Sequence, residues 1–214
     1  MTAFPIILSA PSGGGKTTIA KAILARRTDI GYSVSCTTRP PRGGEIHGKD
    51  YYFVSRTEFL SKRERGEFAE SAEVHGNLYG TLRTEVLRVL EGGQHVLMDI
   101  DVQGAVQFTR VFPQSVTIFI LPPSAEVLLE RLKLRQTESA QQLADRLQSA
   151  LQELQSVDEY EYVVVNDNLD KAIQRVTAIV EAEVSSRERV AGLRTQVAIL
   201  IERLEREIES RNNH

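Results

Sequence analysis

The residues of this chain best suited to chemistry sit close together near its start, in the run Ser9-Ala-Pro-Ser-Gly-Gly-Gly-Lys-Thr-Thr18. Glycines at positions 13, 14 and 15 let a backbone turn tightly and aim successive amides into one concavity, a nest for phosphate oxygens. Lys16 adds a cation that reaches β- and γ-phosphates, and the Thr17 hydroxyl adds a hard oxygen for Mg²⁺. The run matches the phosphate-loop pattern G-x-x-x-x-G-K-[ST] except at its first position, where Ala10 replaces glycine. Alanine tolerates positive φ poorly, so Ala10 must take an ordinary backbone conformation. Ala10, Pro11, Ser12, Gly13, Gly14, Gly15, Lys16, Thr17 and Thr18 are thus the expected surface for a nucleoside triphosphate. A phosphate loop does not name the acceptor, because motors, switches, transporters and kinases all carry one.

Such a loop works only between a buried strand and a helix N-terminus. Residues 4–9 read as that strand, and residues 17–27 as that helix, with Ile19, Ile23 and Leu24 facing inward. Residues 95–100, 116–121 and 162–165 read as further buried strands, which gives the βαβ texture of a parallel sheet. Residues 32–81 differ: they hold most of the aromatic residues, short β-like runs and the turn signals Pro40-Pro41 and Gly43-Gly44, and read as an insertion of short strands. Residues 124–134 and 140–154 read as two helices, the second opened by a Ser139–Gln142 capping box. A helical pattern runs from about residue 169 to the end. Val190, Leu193, Val197, Leu200, Ile201, Leu204 and Ile208 share one face at near-heptad spacing. That stripe is short for a coiled coil, and either self-association or docking on the chain's own domain accounts for it, self-association being the reading favoured.

The 214 residues suffice for one well-buried domain with inserted subdomains. A net charge of −3 gives no global attraction to nucleic acid or to an anionic membrane, so any anion site is local. The sequence holds no apolar run long enough for a membrane span and no secretory leader pattern at its start. The single cysteine, Cys36, forms no internal disulfide and reads as a small buried residue. The cytoplasm fits these features.

The acceptor is read from a second succession: Ser33-Val-Ser-Cys-Thr-Thr-Arg39, Pro41-Arg42, Gly44-Glu45, Gly48-Lys-Asp-Tyr-Tyr-Phe53, Phe68-Ala-Glu70, Gly76-Asn-Leu-Tyr-Gly-Thr81 and Asp99-Ile-Asp-Val-Gln-Gly104. Together with the phosphate loop and Val165-Asn-Asp167, this succession closely resembles the guanylate kinase family over about residues 5–180. The resemblance implies an α/β fold, a P-loop kinase with three αβα layers around a parallel sheet, an inserted small β-rich GMP-binding subdomain and a helical lid. It implies a kinase-like domain over residues 4–185, with its core in 4–31, 82–123 and 157–185. The GMP-binding insertion then spans about 32–81, the lid about 124–156, and a helical tail 186–214.

The same resemblance implies that ATP and Mg²⁺ are used to phosphorylate GMP, and that Ser35, Arg39, Arg42, Tyr51, Glu70, Tyr79, Thr81 and Asp101 contact GMP. The residue types suit this task. Arg39 and Arg42 are rigid forks for a doubly charged phosphate, and Tyr51 and Tyr79 are neutral donors that complete a cage. Guanine offers O6 as acceptor beside N1–H and N2–H₂ as donors. The Glu70 carboxylate accepts from both donors, and the Ser35 hydroxyl donates to O6. Asp99 and Asp101, two apart at a strand end, share a face; Asp99 is expected at a metal-bound water or the loop lysine. Arg131, Arg135 and Arg146 are expected to close over the phosphates, with Lys16 and Arg39 completing the catalytic set. Their alternative role is pairing with Glu130, Glu138 or Asp145 on a helix face; for Lys133 that alternative is preferred. Gln136 follows Arg135 where many members have glycine. Asn166 is implied to lie near the adenine of ATP, a turn cap being the alternative. Two other readings compete: a P-loop kinase for another small molecule, which would lack the Ser35–Glu70 pair, and a guanylate-kinase-like interaction domain, which would lack an intact phosphate loop. A regulatory P-loop protein acting through the tail would not need the insertion.

Overall fold

The computed structural model describes residues 2–74, 76–133 and 140–212. Strands β1 (Pro5–Ser9), β2 (Ile30–Tyr32), β7 (His95–Asp99), β8 (Val116–Leu121) and β9 (Tyr162–Val165) form one parallel sheet in the order β2-β7-β1-β8-β9. Side chains alternate across β1, so its two faces feed different cores. Ile6 and Leu8 pack with Ile19, Ala20 and Ile23 of α1 (Lys16–Arg26) and with Ile173, Val176 and Val180 of α7 (Leu169–Val184). Ile7 points the other way, to Val86 and Val89 of α3 (Arg83–Glu91) and to Ala105 and Phe108 of α4 (Val102–Val111). The result is the expected three-layer arrangement, and the strands expected at 95–100, 116–121 and 162–165 are found within one residue.

The insertion forms its own sheet, in the order β4-β3-β6-β5, from β3 (Cys36–Thr37), β4 (Tyr52–Phe53), β5 (Phe68–Val74) and β6 (Asn77–Leu82). Helix α2 (Arg56–Glu64) covers it, placing Phe59 on Phe68 at a ring separation of 4.4 Å, beside Cys36 and Leu78. Burial pushes the Cys36 thiol up to about 12, which suits a packing role and excludes a thiolate. Helix α2 opens with Ser55 accepting from the Glu58 amide at 3.1 Å, an N-cap with an acidic residue at N3. Helices α5 (Ala125–Lys133) and α6 (Ala140–Gln155) meet through Leu128, Leu132, Leu143, Ala150 and Leu154.

Strand β2 and helices α2, α3 and α4 go beyond the sequence-based expectation. The tail also differs. The single helical pattern expected from residue 169 is two helices, α7 and α8 (Leu193–Asn212), separated at residues 185–192, where Gly192 takes a φ of 69° that few other residues adopt. The expected Ser139–Gln142 cap, together with Arg135 and Gln136, lies outside the described residues or side chains.

Candidate active site

The phosphate loop joins β1 to α1, and its shape follows from its glycines. Gly13 and Gly15 take φ of 83° and 93°. Gly14 donates its amide to the Pro11 carbonyl at 2.7 Å, and a Cβ at Gly14 would lie 2.7 Å from the Ala10 Cβ. The Ala10 methyl therefore fills space that only a glycine at 14 leaves open, and Ala10 itself is buried. Lys16 begins α1, where backbone amides and the positive end of the helix dipole converge.

Sheet register brings the acidic end of β7 to this loop. Leu8 pairs with Asp99, so the Asp99 carboxylate sits beside the start of α1. It accepts from the Thr17 hydroxyl at 2.7 Å and from the Tyr32 hydroxyl at 3.2 Å. The oxygen pair Thr17–Asp99 is hard-donor chemistry that suits Mg²⁺. Among the described residues no group of three His, Cys, Asp or Glu could hold a metal.

The other end of the site is built on β5 and β6. Glu70 pairs in register with Thr81, whose hydroxyl donates to the Glu70 carboxylate at 2.6 Å. Ser35 lies at 3.5 Å from the Thr81 hydroxyl. Asp101 caps α4 by accepting from the Gly104 amide at 2.7 Å. A Cβ on Gly104 would fall 3.1 Å from Glu70 and 3.3 Å from Asp101, so this glycine is where the two carboxylates flank the helix start. Glu70 is 7% exposed, and desolvation, with Asp101 nearby, pushes its carboxyl up to about 7 while the Thr81 hydroxyl opposes the shift. A buried carboxylate beside two hydroxyls suits a ligand edge bearing adjacent N–H donors.

Between these ends lie Arg39, Tyr51 and Tyr79. The Arg39 guanidinium is 5.5 Å from the Tyr51 ring centre, and the two tyrosine rings meet edge to face at 6.1 Å. Glu45 grips Arg39 at 3.0 and 2.8 Å and accepts from the Arg42 amide at 2.7 Å. The Arg39 guanidinium holds the Glu45 carboxyl below the usual carboxylate range. Arg42 is exposed and joins this group through its backbone.

Helices α5 and α6 lean on the loop from above. Arg131 points its guanidinium at the Gly14 and Asn166 carbonyls, both at 3.5 Å. Arg146 donates to the Ser12 hydroxyl at 3.3 Å and to the Leu132 carbonyl at 3.1 Å. Among the described residues, both arginines reach the loop, Arg131 at Gly14 and Arg146 at Ser12. Lys133 is exposed. Seven residues after Arg146, on the same face of α6, Glu153 accepts from the Ser12 amide at 2.8 Å. Burial pushes its carboxyl up. The Asn166 side chain donates to the Gly14 carbonyl at 3.0 Å, and the turn cap considered for it falls instead to Asn168, which caps α7.

A family model, guanylate kinase, matches residues 2–183. The chain belongs to the guanylate kinase family. The guanylate kinases of Caldanaerobacter subterraneus subsp. tengcongensis and Thermotoga maritima are each 47% identical to it, over 178 and 177 residues, covering 83% of this chain and 86% of theirs. The crystal structure of guanylate kinase from Anaplasma phagocytophilum superposes with a TM-score of 0.74 at 37% identity, covering 91% of this chain and 93% of that one. Guanylate kinases thus share the fold and most of the length of this chain, and α8 lies beyond the family match. Glu45, Tyr32, Gly104 and Glu153 were given no role from sequence. Glu45 stood inside the Gly44-Glu45 motif, and Glu153 shares a helical face with Arg146; those spacings were the available signals.

Proposed function

We propose that this chain transfers the γ-phosphoryl group of ATP to GMP, forming ADP and GDP, with Mg²⁺, in the cytoplasm, as a step of purine nucleotide metabolism. The observation that carries the reading is the buried Glu70 carboxylate, which accepts from the Thr81 hydroxyl, with the Ser35 hydroxyl next to it. Guanine presents two adjacent N–H donors to one carboxylate, whereas adenine presents an acceptor and no 2-amino group. Arg39, Arg42, Tyr51 and Tyr79 hold the acceptor phosphate, Ser35 donates to O6, and Asp101 orients the base with Glu70.

Lys16 and the amides of residues 10–18 hold the ATP phosphates, and Asn166 lies on the nucleotide side of that loop. Thr17 and Asp99 are the residues that would hold Mg²⁺, which neutralises phosphate charge when bound. Arg131 and Arg146, with Arg135, supply the positive charge that a spreading phosphoryl charge requires, and the closed lid excludes water. The acceptor phosphate oxygen is already anionic, so the site needs no general base. The division of labour follows the cores: nucleotide core at 4–31, 82–123 and 157–185, acceptor subdomain at about 32–81, lid at about 124–156.

The test offers ATP and Mg²⁺ with GMP, AMP, CMP or UMP in turn. GDP and ADP forming in equal amounts with GMP alone is the expected result. Absence of turnover with all four would overturn the assignment.

A further inference from the structure

Helix α8 is 20 residues long, and every described side chain from Arg194 to Arg211 is exposed. Among the described residues, no other helix or strand packs extensively along its length. An isolated helix of this size is marginal in water, and helical stability normally comes from packing an apolar face. The exposed Glu202–Arg206 and Glu207–Arg211 pairs, at 2.8 and 3.0 Å, are of the solvated kind that contributes little.

The apolar face is nevertheless present. Val197, Leu200, Ile201, Leu204 and Ile208 are exposed by 43, 62, 49, 63 and 58%. At the α-helical rotation these five fall within a stripe about 100° wide, the width of a core-facing stripe, while Ile199 stands alone on the opposite side. At roughly 100 Å² of exposed surface per side chain, the stripe offers about 500 Å² per copy and about 1,000 Å² for a pair, the lower bound for a biological interface, to which the flanking side chains add.

We propose that the α8 stripe is the self-association surface of this chain, with two copies packing their α8 helices antiparallel about Leu200, Ile201 and Leu204. The charge pattern selects the occupant. Arg194, Arg203, Arg206 and Arg211 balance Glu202, Glu205, Glu207 and Glu209, and α8 carries no lysine. An anionic membrane surface calls for a cationic excess, and a strongly charged partner calls for the opposite charge; α8 has neither. It is compatible with itself. The charge also sets the direction. The half from residue 193 to 201 carries Arg194 alone, and the half from 202 to 211 carries one more glutamate than arginine. Antiparallel pairing sets the positive half against the negative one and opposes the two helix dipoles, whereas parallel pairing sets like against like. A two-fold axis through such a pair makes a closed, isologous contact.

The experiment is sedimentation equilibrium on the full chain and on a Leu200→Glu/Leu204→Glu variant, with turnover measured on both. The expected result is twice the 23.9 kDa chain mass for the wild type and a fall to a single chain mass for the variant, at unchanged kcat. A monomeric wild type at tens of micromolar, or a dimer that survives the double substitution, would overturn the proposal. So would binding of the wild type, but not the variant, to vesicles of phosphatidylserine. Direction is read by oxidative crosslinking: Ile201→Cys, near the axis, crosslinks to its mate. Ile208→Cys, far from its mate in the antiparallel pair, does not, and its crosslinking would refute the antiparallel arrangement.

Discussion

Replacing Glu70 by glutamine removes a buried carboxyl whose protonation follows directly from its surroundings. In the folded chain this group titrates at about 7 rather than at its ordinary 4.5. At 1.36 kcal/mol per unit, the difference amounts to about 3 kcal/mol of unfavourable charge burial once the group ionises. The sign follows from proton counting. Between the two values the folded chain binds more protons than the unfolded chain, so stability falls as pH rises through that window. Glu70→Gln has no such titration. The stability difference, variant minus wild type, should therefore grow by about 3 kcal/mol between about pH 4 and about pH 8. Urea unfolding at several pH values measures it, and taking the difference cancels the titrating groups that do not interact with Glu70. The same variant should lose most of its turnover with GMP, because an amide cannot accept from two N–H donors without turning its own donors away. A stability gain accompanied by lost function is what a strained recognition site gives. A difference that stays flat with pH would refute the reasoning, since it would mean that Glu70 is not desolvated in the folded chain.

Three further outcomes follow from the geometry around the phosphate loop and the cage. Glu153→Ala frees the Ser12 amide, and it should raise KM for ATP about tenfold, the equivalent of one charge-assisted hydrogen bond, while leaving KM for GMP unchanged; Glu153→Gln, which still accepts, should restore most of it. Gly15→Ala places a methyl 2.6 Å from the Asn166 amide at a φ of 93°, so it should abolish ATP binding in a calorimetric titration, and a second change, Asn166→Ala, should not rescue it because the backbone strain remains. Glu45→Gln releases the bidentate grip on Arg39, and steady-state kinetics should show a higher KM for GMP with KM for ATP unaltered.

The parallel core was legible because its strands are unbroken apolar runs and its phosphate loop carries its own glycine signature. Strand β2 was not, since Ile30-Gly-Tyr32 is three residues long and only its pairing with β7 makes it a strand. The join of Thr17 to Asp99 depends on the Leu8–Asp99 register, which no local pattern encodes. Glu70 could be named from its motif, but its burial depends on β6 and α4 closing around it. Glu153 was missed because a lone glutamate among the polar residues of an amphipathic helix has no mark of its own until α6 is laid against the loop. The break between α7 and α8 falls on the polar run Ser185-Ser-Arg-Glu-Arg189 and on Gly192, a local interruption that a reading of the apolar stripe from Val190 onward passes over.

The central claim is that a buried carboxylate selects guanine for phosphoryl transfer from ATP. The most direct test compares kcat/KM for GMP and AMP in the wild type and in Glu70→Ala. The account predicts a preference for GMP of roughly 10⁴-fold or more in the wild type, collapsing in the variant through loss of GMP turnover. Comparable turnover of the two nucleotides by the wild type, or a preference that survives the loss of Glu70, would contradict it.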